Sequence, residues 1–515
     1  MADAAGADGF AILSYEAALN ADPSSKAVAT RAYRQALEAG NRTLALRAAR
    51  TLETAQALPP DARLLFVSES VAKADWKGAT AQIDKIEESG TFAFLTPVLR
   101  SWVSYGARVG DPLGTLTVQS KDGFSSAYAH EHRGLMLLAL KQNAAGAEHV
   151  MSISAADRPG LLLRLGAAAR LIETKDRARA LTLLEGDETT IRMAREFVAA
   201  GGTLSGAVSK PNAGIALLLA RVANDLLRDN ASPVALTIAR LASFADPSLP
   251  QVQLAVARSL AATGSHDEAL AQLDKISRQS AFLPIANDLR YGFLNDASRF
   301  DDALELAKAS ASAPGAGASD QIRLGEAYGR AGKPREAAAA YRAAIDTQAG
   351  PNRDRPVSWA LWFLLGRSYD DAKDWKAAKP ALERAVALGP NETAALNHLG
   401  YGMLVQGDDI AEATRLIKRA SALKPTDPAI SDSLAWALFK GGKATDAIPI
   451  LERAVAMEPT IAEIGEHLGD VYWSVGRRID ARYAWSAALV QAGEAEAERL
   501  ALKIERGPSG QTTRK

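Results

Sequence analysis

The sequence predicts an all-α fold, a right-handed superhelical solenoid of stacked helix–turn–helix units. Two features of the composition support this prediction: about a fifth of the 515 residues are Ala, and only 6% are aromatic. Ala is the best helix former, and its small side chain lets neighbouring helices pack closely. The third observation is an internal period of about 34 residues, because a fixed period of this size indicates a repeat architecture.

The period is clearest in two segments that begin at Pro428 and Ala462, each counted as offset 1. Large residues at offsets 7, 11 and 24 fill the space between two helices, and small residues at offsets 8, 20 and 27 let the backbones approach. Gly near offset 15 allows the tight turn between the two helices, and Pro at offset 32 ends the second helix. This pattern resembles the tetratricopeptide repeat (TPR), a helix–turn–helix unit. The large residues are Leu434, Leu438, Leu451, Leu468, Tyr472 and Trp485.

Changes in the regularity of the repeat predict five regions. Residues 1–199 form divergent TPR-like repeats, and residues 214–489 form TPR repeats that match the pattern more closely. Between them, residues 200–213 hold several Gly and a Pro, which predicts a break that acts as a hinge or is an ordinary long loop. Residues 490–506 predict a charged capping helix that shields the open end of the solenoid, and residues 507–515 predict a disordered tail.

The N-terminal residues predict an incomplete repeat. Ala11, Tyr15 and Ala18 fit the second helix of a unit, but too few residues precede them to complete the first helix. We therefore expect the native product to begin upstream, with a signal peptide or lipid anchor removed. The protein would then be periplasmic or associated with the outer membrane, and otherwise cytoplasmic. No stretch approaches 18 uninterrupted apolar residues, so no transmembrane segment is predicted in this chain.

Composition and motifs argue against several classes of function. Lys plus Arg balances Asp plus Glu at 60 each, whereas nucleic-acid binders usually carry a basic excess. The chain has no Cys, no P-loop, no G-x-S-x-G and no H-E-x-x-H motif. His130 and His132 could share a metal only on extended backbone, so we expect a solvated surface pair. The sequence predicts no enzyme, no cofactor, no metal and no nucleic-acid partner.

A candidate partner-binding site lies near the C-terminus. In a TPR solenoid the first helix of each repeat lines the concave face, chiefly through offsets 2, 5, 9, 12 and 13. Exposed aromatic clusters on such a face usually mark binding sites, and flanking charges supply a polar rim. The alternative, that the aromatics pack against the neighbouring helix, stays open. The predicted groove residues are Tyr401, Leu404, Asp432, Trp436, Phe439, Lys440, Glu466, Asp470 and Trp473.

The stretch 396–489 carries the motifs N-x-L-G-Y, D-S-L-x-W-A and H-L-G-D-x-Y-W-x-x-G-R. It resembles the C-terminal part of long bacterial envelope TPR proteins, including outer-membrane lipoprotein adaptors of C-terminal-processing proteases. The resemblance implies a non-catalytic scaffold or adaptor that binds a protein partner in its groove and delivers substrates to a protease. The alternative is a periplasmic scaffold in exopolysaccharide secretion or outer-membrane assembly, and less favoured is the TPR arm of an enzyme. The oligomeric state stays open.

Overall fold

The computed structural model describes residues 4–116, 123–153, 158–186, 188–277, 279–348 and 357–508. Within these ranges the chain forms 28 α-helices and two short 3-10 helices, and no β-strand. The prediction of an all-α solenoid of helix pairs is confirmed. Of the predicted tail, residues 509–515 lie outside the described residues.

Internal contacts divide the chain into two compact units, Met1–Arg299 and Phe300–Lys515. Two 3-10 helices, Ala93–Leu95 and Gly114–Leu116, belong to the first unit. Its α-helices are α1 (Ala4–Ala21), α2 (Lys26–Ala39), α3 (Arg42–Thr54), α4 (Ala62–Ala72), α5 (Trp76–Ser89), α6 (Thr96–Ala107), α7 (Gly123–Ala139), α8 (Asn143–Met151), α9 (Arg158–Glu173), α10 (Arg177–Leu183), α11 (Thr189–Ala199), α12 (Pro211–Arg228), α13 (Ser232–Ala245), α14 (Pro250–Ala262), α15 (His266–Leu273) and α16 (Leu283–Asp296).

The second unit consists of helical hairpins in which a first helix (A) and a second helix (B) make the most extensive contacts. Its α-helices are α17 (Phe300–Ala311), α18 (Ala318–Arg330), α19 (Pro334–Gln348), α20 (Trp359–Asp371), α21 (Trp375–Leu388), α22 (Thr393–Gln406), α23 (Ile410–Leu423), α24 (Pro428–Lys440), α25 (Ala444–Met457), α26 (Ala462–Ser474), α27 (Arg478–Gln491) and α28 (Glu494–Arg506).

In four of the hairpins of the second unit, a glycine on helix A makes room for a large side chain on helix B. A Cβ atom at Gly469 would lie 2.2 Å from Nε1 of Trp485, and one at Gly366 would lie 2.7 Å from Cγ of Leu382. Both glycines occupy offset 8, and both large residues occupy offset 24. The small and large positions read from the sequence are therefore complementary across the A–B interface.

The A helices of the second unit form a row. Helices α20, α22, α24 and α26 each contact the next member, whereas no two successive B helices make as extensive a contact within the described residues. Helices that approach more closely lie on the more tightly curved side of a stack. The A helices therefore line the inner, concave face of this unit.

The first unit departs from a stack in which each repeat touches only its neighbours. Helix α12 contacts α4, α6 and α7 as well as α13 and α14, and α13 contacts α2 and α4. Hydrogen bonds fasten these distant segments: the Tyr128 hydroxyl donates to Asp225 at 2.8 Å, and Arg240 Nη2 donates to the Glu38 carbonyl at 2.9 Å. Most of α12 is buried around its whole circumference, as expected of a helix at the centre of a core.

The segment 200–213 lies at the edge of this core. Helix α12 begins at Pro211, a position where Pro suits the first helical turn, so the stretch without helix is shorter than predicted. Leu204 and Val208 are buried, and Gln251 Nε2 donates to the Gly206 carbonyl at 2.9 Å. The division between compact units falls at residue 299 rather than here, because α12 and α13 pack back against earlier helices. The hinge stays a prediction.

The histidine pair expected on the surface is not a pair. His132 is buried, and its Nδ1 accepts a hydrogen bond from Trp102 Nε1 at 2.9 Å. Burial lowers the pKa of His132 to about 3, so this ring is neutral at pH 7. His130 instead lies against His149 of α8, with ring centroids 4.4 Å apart. The prediction was wrong for His132 because alternate helical positions face different surroundings, one of which is the core.

We predict that Gly214→Ala destabilises the first unit by about 1–3 kcal/mol, the usual cost of overpacking a core. An added Cβ would lie 2.0 Å from Cε2 of Trp102, whose fully buried ring is held by His132 and cannot move aside easily. The matched control is Gly292→Ala in α16, where a Cβ would meet nothing within 4 Å. This change should stabilise by up to about 1 kcal/mol through helix propensity. Urea denaturation followed by circular dichroism measures both, and equal effects would refute the tight packing.

Candidate functional site

Three A helices of the second unit carry the predicted groove residues. Tyr401 lies on α22, Trp436 and Phe439 on α24, and Trp473 on α26. Tyr401, Trp436 and Phe439 are half-buried, so each offers part of its ring to the concave face. Each of these side chains is thus partly packed and partly accessible, and the binding groove stays a prediction.

His467 lies at the centre of this cluster. Its ring stacks on Trp436, with centroids 4.0 Å apart and an interplanar angle of 18°. Its Nδ1–H donates to the carboxylate of Asp432, 2.9 Å from both oxygens. Both members of the ion pair are buried, and Tyr401 closes another side, with ring centroids 6.2 Å apart. The pair fixes the orientation of the imidazole and, through the stacking contact, that of Trp436.

The charges of His467 and Asp432 depend on each other. Burial alone would lower the pKa of His467, but the hydrogen bond and negative charge of Asp432 outweigh it and hold that pKa above its ordinary value. Burial likewise raises the pKa of Asp432, although His467 opposes the rise. An imidazolium–carboxylate pair is therefore favoured over a neutral imidazole beside a buried carboxylate.

The exposed rim of the cluster is polar. The Tyr401 hydroxyl donates to Glu463 Oε1 at 2.5 Å, and burial together with this carboxylate raises the pKa of Tyr401. Lys440 Nζ lies 5.0 Å from the Trp436 ring centroid, a cation–π contact within one helical turn. Phe439 lies 5.1 Å from Trp436 and also packs against the core of α25 to α27.

Two predicted groove residues, Glu466 and Asp470, are covered by the C-terminal helix. Arg499 of α28 donates to Glu466 from Nε at 2.9 Å and from Nη2 at 2.6 Å. Lys503 Nζ lies 2.7 Å from Glu466 Oε1 and 2.6 Å from Asp470 Oδ2. These hydrogen bonds and charges hold the pKa of Glu466 below its ordinary value even though burial opposes them. Two carboxylates at inner offsets of the last repeat are therefore already paired within the chain.

Leu404 is buried, whereas Trp473 is half-buried. Leu404 is 4% exposed and belongs to the core shared by α22 and α23, against which Trp436 also packs. Trp473 lies 5.5 Å from the Trp485 ring and 5.3 Å from the guanidinium carbons of Arg478 and Arg482. The offset predicted both residues on the inner face, but neighbouring side chains cover Leu404, and Trp473 stays a predicted groove residue.

Sequence reasoning missed two parts of the arrangement. It did not include His467 in the site, although Asp432 at an inner offset of the preceding repeat signals an ion pair. It also assigned α28 only to capping, although Arg499 and Lys503 stand one helical turn apart, as do Glu466 and Asp470. Matching i, i+4 charges of opposite sign on two helices was the available signal.

Two observations concern other classes of site. Within the described residues, no three or more His, Asp or Glu side chains are placed to hold a metal ion. None of the described helices combines the length and the apolar character needed to cross a bilayer.

Comparison with known proteins identifies the repeats in the second unit. The profile of the tetratricopeptide repeat matches residues 322–393, 364–428 and 433–497, so this part of the chain consists of TPR repeats. A TPR repeat-containing protein of Pseudomonas aeruginosa is 32% identical over 91 residues, which are 18% of this chain and 15% of that relative. The chain thus spans less than a sixth of the curated relative it matches.

Solved structures are similar to the chain in fold. A thermophilic TPR protein of Thermus thermophilus is 20% identical and covers 36% of this chain and 99% of its own, with a TM-score of 0.31. The Cut9–Hcn1 hetero-tetramer of the APC/C is 14% identical and covers 88% of this chain and 98% of its own, with a TM-score of 0.39.

We predict that the pKa of His467, measured by NMR titration of labelled imidazoles, lies above its ordinary value of about 6.5. Asp432→Asn should lower it below that value, because burial would remain while the hydrogen-bonded negative charge would be lost. A group with a raised folded-state pKa stabilises the fold below its unfolded pKa, and this stabilisation is lost as the pH rises through the folded pKa. The second unit should therefore lose stability above about pH 6.5, and His467→Gln should remove this dependence.

If the titration of His467 is the same in the Asp432→Asn variant, the ion pair does not set the charge of the ring.

Proposed function

We propose that the protein is a non-catalytic scaffold that binds a protein partner on the concave face of its second unit. Residues 322–428 and 433–497 of this unit are TPR repeats. TPR repeats are protein-interaction modules, which supports the general role. The observation that carries the proposal for this surface is the half-exposed cluster of Tyr401, Trp436 and Phe439 on adjacent A helices.

Aromatic rings that are partly exposed to water favour a partner that covers them. Aromatic side chains are enriched among the residues that dominate binding energy, especially at the centre of an interface with a polar rim. Here the rings are partly fixed before any partner arrives, because His467 stacks on Trp436 and Asp432 orients His467. A surface that is already ordered loses less entropy on binding, which favours affinity.

We propose further that the protein acts in the bacterial envelope as an adaptor that delivers substrates to a protease. Support comes from the motifs in residues 396–489, which resemble those of envelope TPR adaptors. Under this proposal the protein acts in the periplasm or at the outer membrane. A role as a scaffold in exopolysaccharide secretion or outer-membrane assembly is the competing outcome of the experiment below.

We predict that replacing Trp436 and Phe439 together by Ala weakens partner capture by about tenfold or more. Loss of a central aromatic typically costs about 2 kcal/mol or more, and about 1.4 kcal/mol corresponds to tenfold. Capture from envelope extract, quantified by mass spectrometry, measures the effect. The matched control is Tyr483→Ala on α27, which removes a ring that is 74% exposed and lies on a B helix.

Because both rings are half-buried, thermal melts of each variant must accompany the capture assay. Trp436→Leu keeps an apolar side chain against the α22–α23 core and serves if the double variant melts early. A protease among the proteins lost on substitution would support the adaptor role, and secretion or assembly components would support the competing role. Capture that is equal in all variants would contradict the proposed surface.

A further inference from the structure

The C-terminal helix α28 packs against α27, and two of its basic side chains reach carboxylates at inner offsets of α26. Its Arg499 and Lys503 stand one turn apart and meet Glu466 and Asp470, which also stand one turn apart on α26. Between the two basic residues, Leu500 is fully buried in the core formed with α25 to α27. The contacts of α28 therefore show one kind of segment that Glu466 and Asp470 bind: a helix with two basic residues and an apolar residue between them.

The contacts are stronger than those of an ordinary surface ion pair. Glu466 is 6% exposed, and its carboxylate accepts bidentate hydrogen bonds from the Arg499 guanidinium. It also forms an ion pair with the Lys503 ammonium. Paired N–H donors from one Arg to both oxygens of a carboxylate give both affinity and a fixed geometry. Asp470 is held in the same way from Lys503, whose Nζ lies within 2.7 Å of both of its oxygens.

The acidic surface continues beyond α28. Glu463 is exposed on the first turn of α26, and it takes part in no ion pair among the described residues. It accepts a hydrogen bond from the Tyr401 hydroxyl. Glu463 therefore connects the carboxylates that α28 neutralises to the aromatic cluster. On the inner offsets of α24 and α26, Lys440 is the single basic side chain, against the acidic residues Asp432, Glu463, Glu466 and Asp470.

We propose that the partner segment bound by this face is an amphipathic helix with two basic residues one turn apart and an apolar residue between them, and that α28 competes with it for Glu466 and Asp470. This inference rests on the proposed function and specifies its ligand. Charge complementarity and the seating of α28 both select this occupant. An acidic or uncharged segment would leave two partly buried carboxylates without partners, at a cost in binding.

Competition from α28 is effective because it is intramolecular. The helix follows α27 after only Ala492 and Gly493, so it stays beside its site at an effective concentration in the millimolar range. A free helix must overcome this local concentration. The wild-type chain should therefore bind such a helix weakly, and loosening α28 should expose the site.

The test uses a fluorescent synthetic peptide with the sequence of residues 493–507, GEAEAERLALKIERG, added to the full chain. The Arg499→Ala, Lys503→Ala double variant of the chain keeps the groove carboxylates and should bind this peptide at least about tenfold more tightly than the wild type. A peptide in which the same Arg and Lys are replaced by Glu should not bind. Adding Glu466→Gln and Asp470→Asn to the double variant should abolish binding, and salt should weaken it.

Hydrogen exchange of the wild-type chain gives a second measurement that needs no variant. With excess peptide, residues 494–506 of the chain should lose protection as they are displaced, while α26 keeps its protection. The inference is overturned if the peptide binds neither chain, if the charge-reversed peptide binds equally, or if α28 keeps full protection under saturating peptide. If peptide binding fails while partner capture still depends on Trp436 and Phe439, only the ligand chemistry is wrong and the proposed function stands.

Discussion

The close approach of the two helices in each hairpin is the constraint on which the second unit depends. A Cβ atom at Gly325 would lie 2.6 Å from Tyr341, and one at Gly400 would lie 2.7 Å from Ile417, and in α24–α25 the small residue is Ala435. The large residue of helix B thus occupies the space that a side chain on helix A would fill. This interlock sets the distance and rotation of the two helices. It therefore also sets which positions of helix A are left to face the concave side.

That constraint explains how a scaffold of small residues presents large ones. Ala and Gly at the A–B interface shorten the distance between the two helices of a hairpin. The stack can therefore bring α22, α24 and α26 into contact along one row. Tyr401, Trp436 and His467 then come from three successive A helices and meet in one cluster. The first unit uses close packing differently: Gly214 lets α12 lie directly on Trp102, and α12 packs among α4, α6 and α7.

Electrostatics give this inner surface its character. The chain as a whole carries equal numbers of acidic and basic residues, yet the inner face of α24 and α26 is mainly acidic. Part of that charge is neutralised within the fold, by His467 beneath the aromatic cluster and by α28 across the last repeat. Glu463 lies between these two neutralised regions and stays exposed. A ligand that reaches this surface meets aromatic rings, an exposed carboxylate and a helix of the same chain held by ion pairs.

The sequence by itself determined the all-α class, the helical hairpin and its period, and the inner offsets that carry Tyr401, Trp436 and Phe439. These features are local, since each follows from side-chain sizes repeated within about 34 residues. Only the tertiary structure decided that Leu404 is core, that His467 joins Asp432 to Trp436, and that α28 covers Glu466 and Asp470. The repeat pattern likewise did not predict that α12 packs against α4, α6 and α7. The physical reason is that burial at an inner offset depends on side chains of the adjacent repeat, and contacts between distant repeats depend on curvature that accumulates over several hairpins.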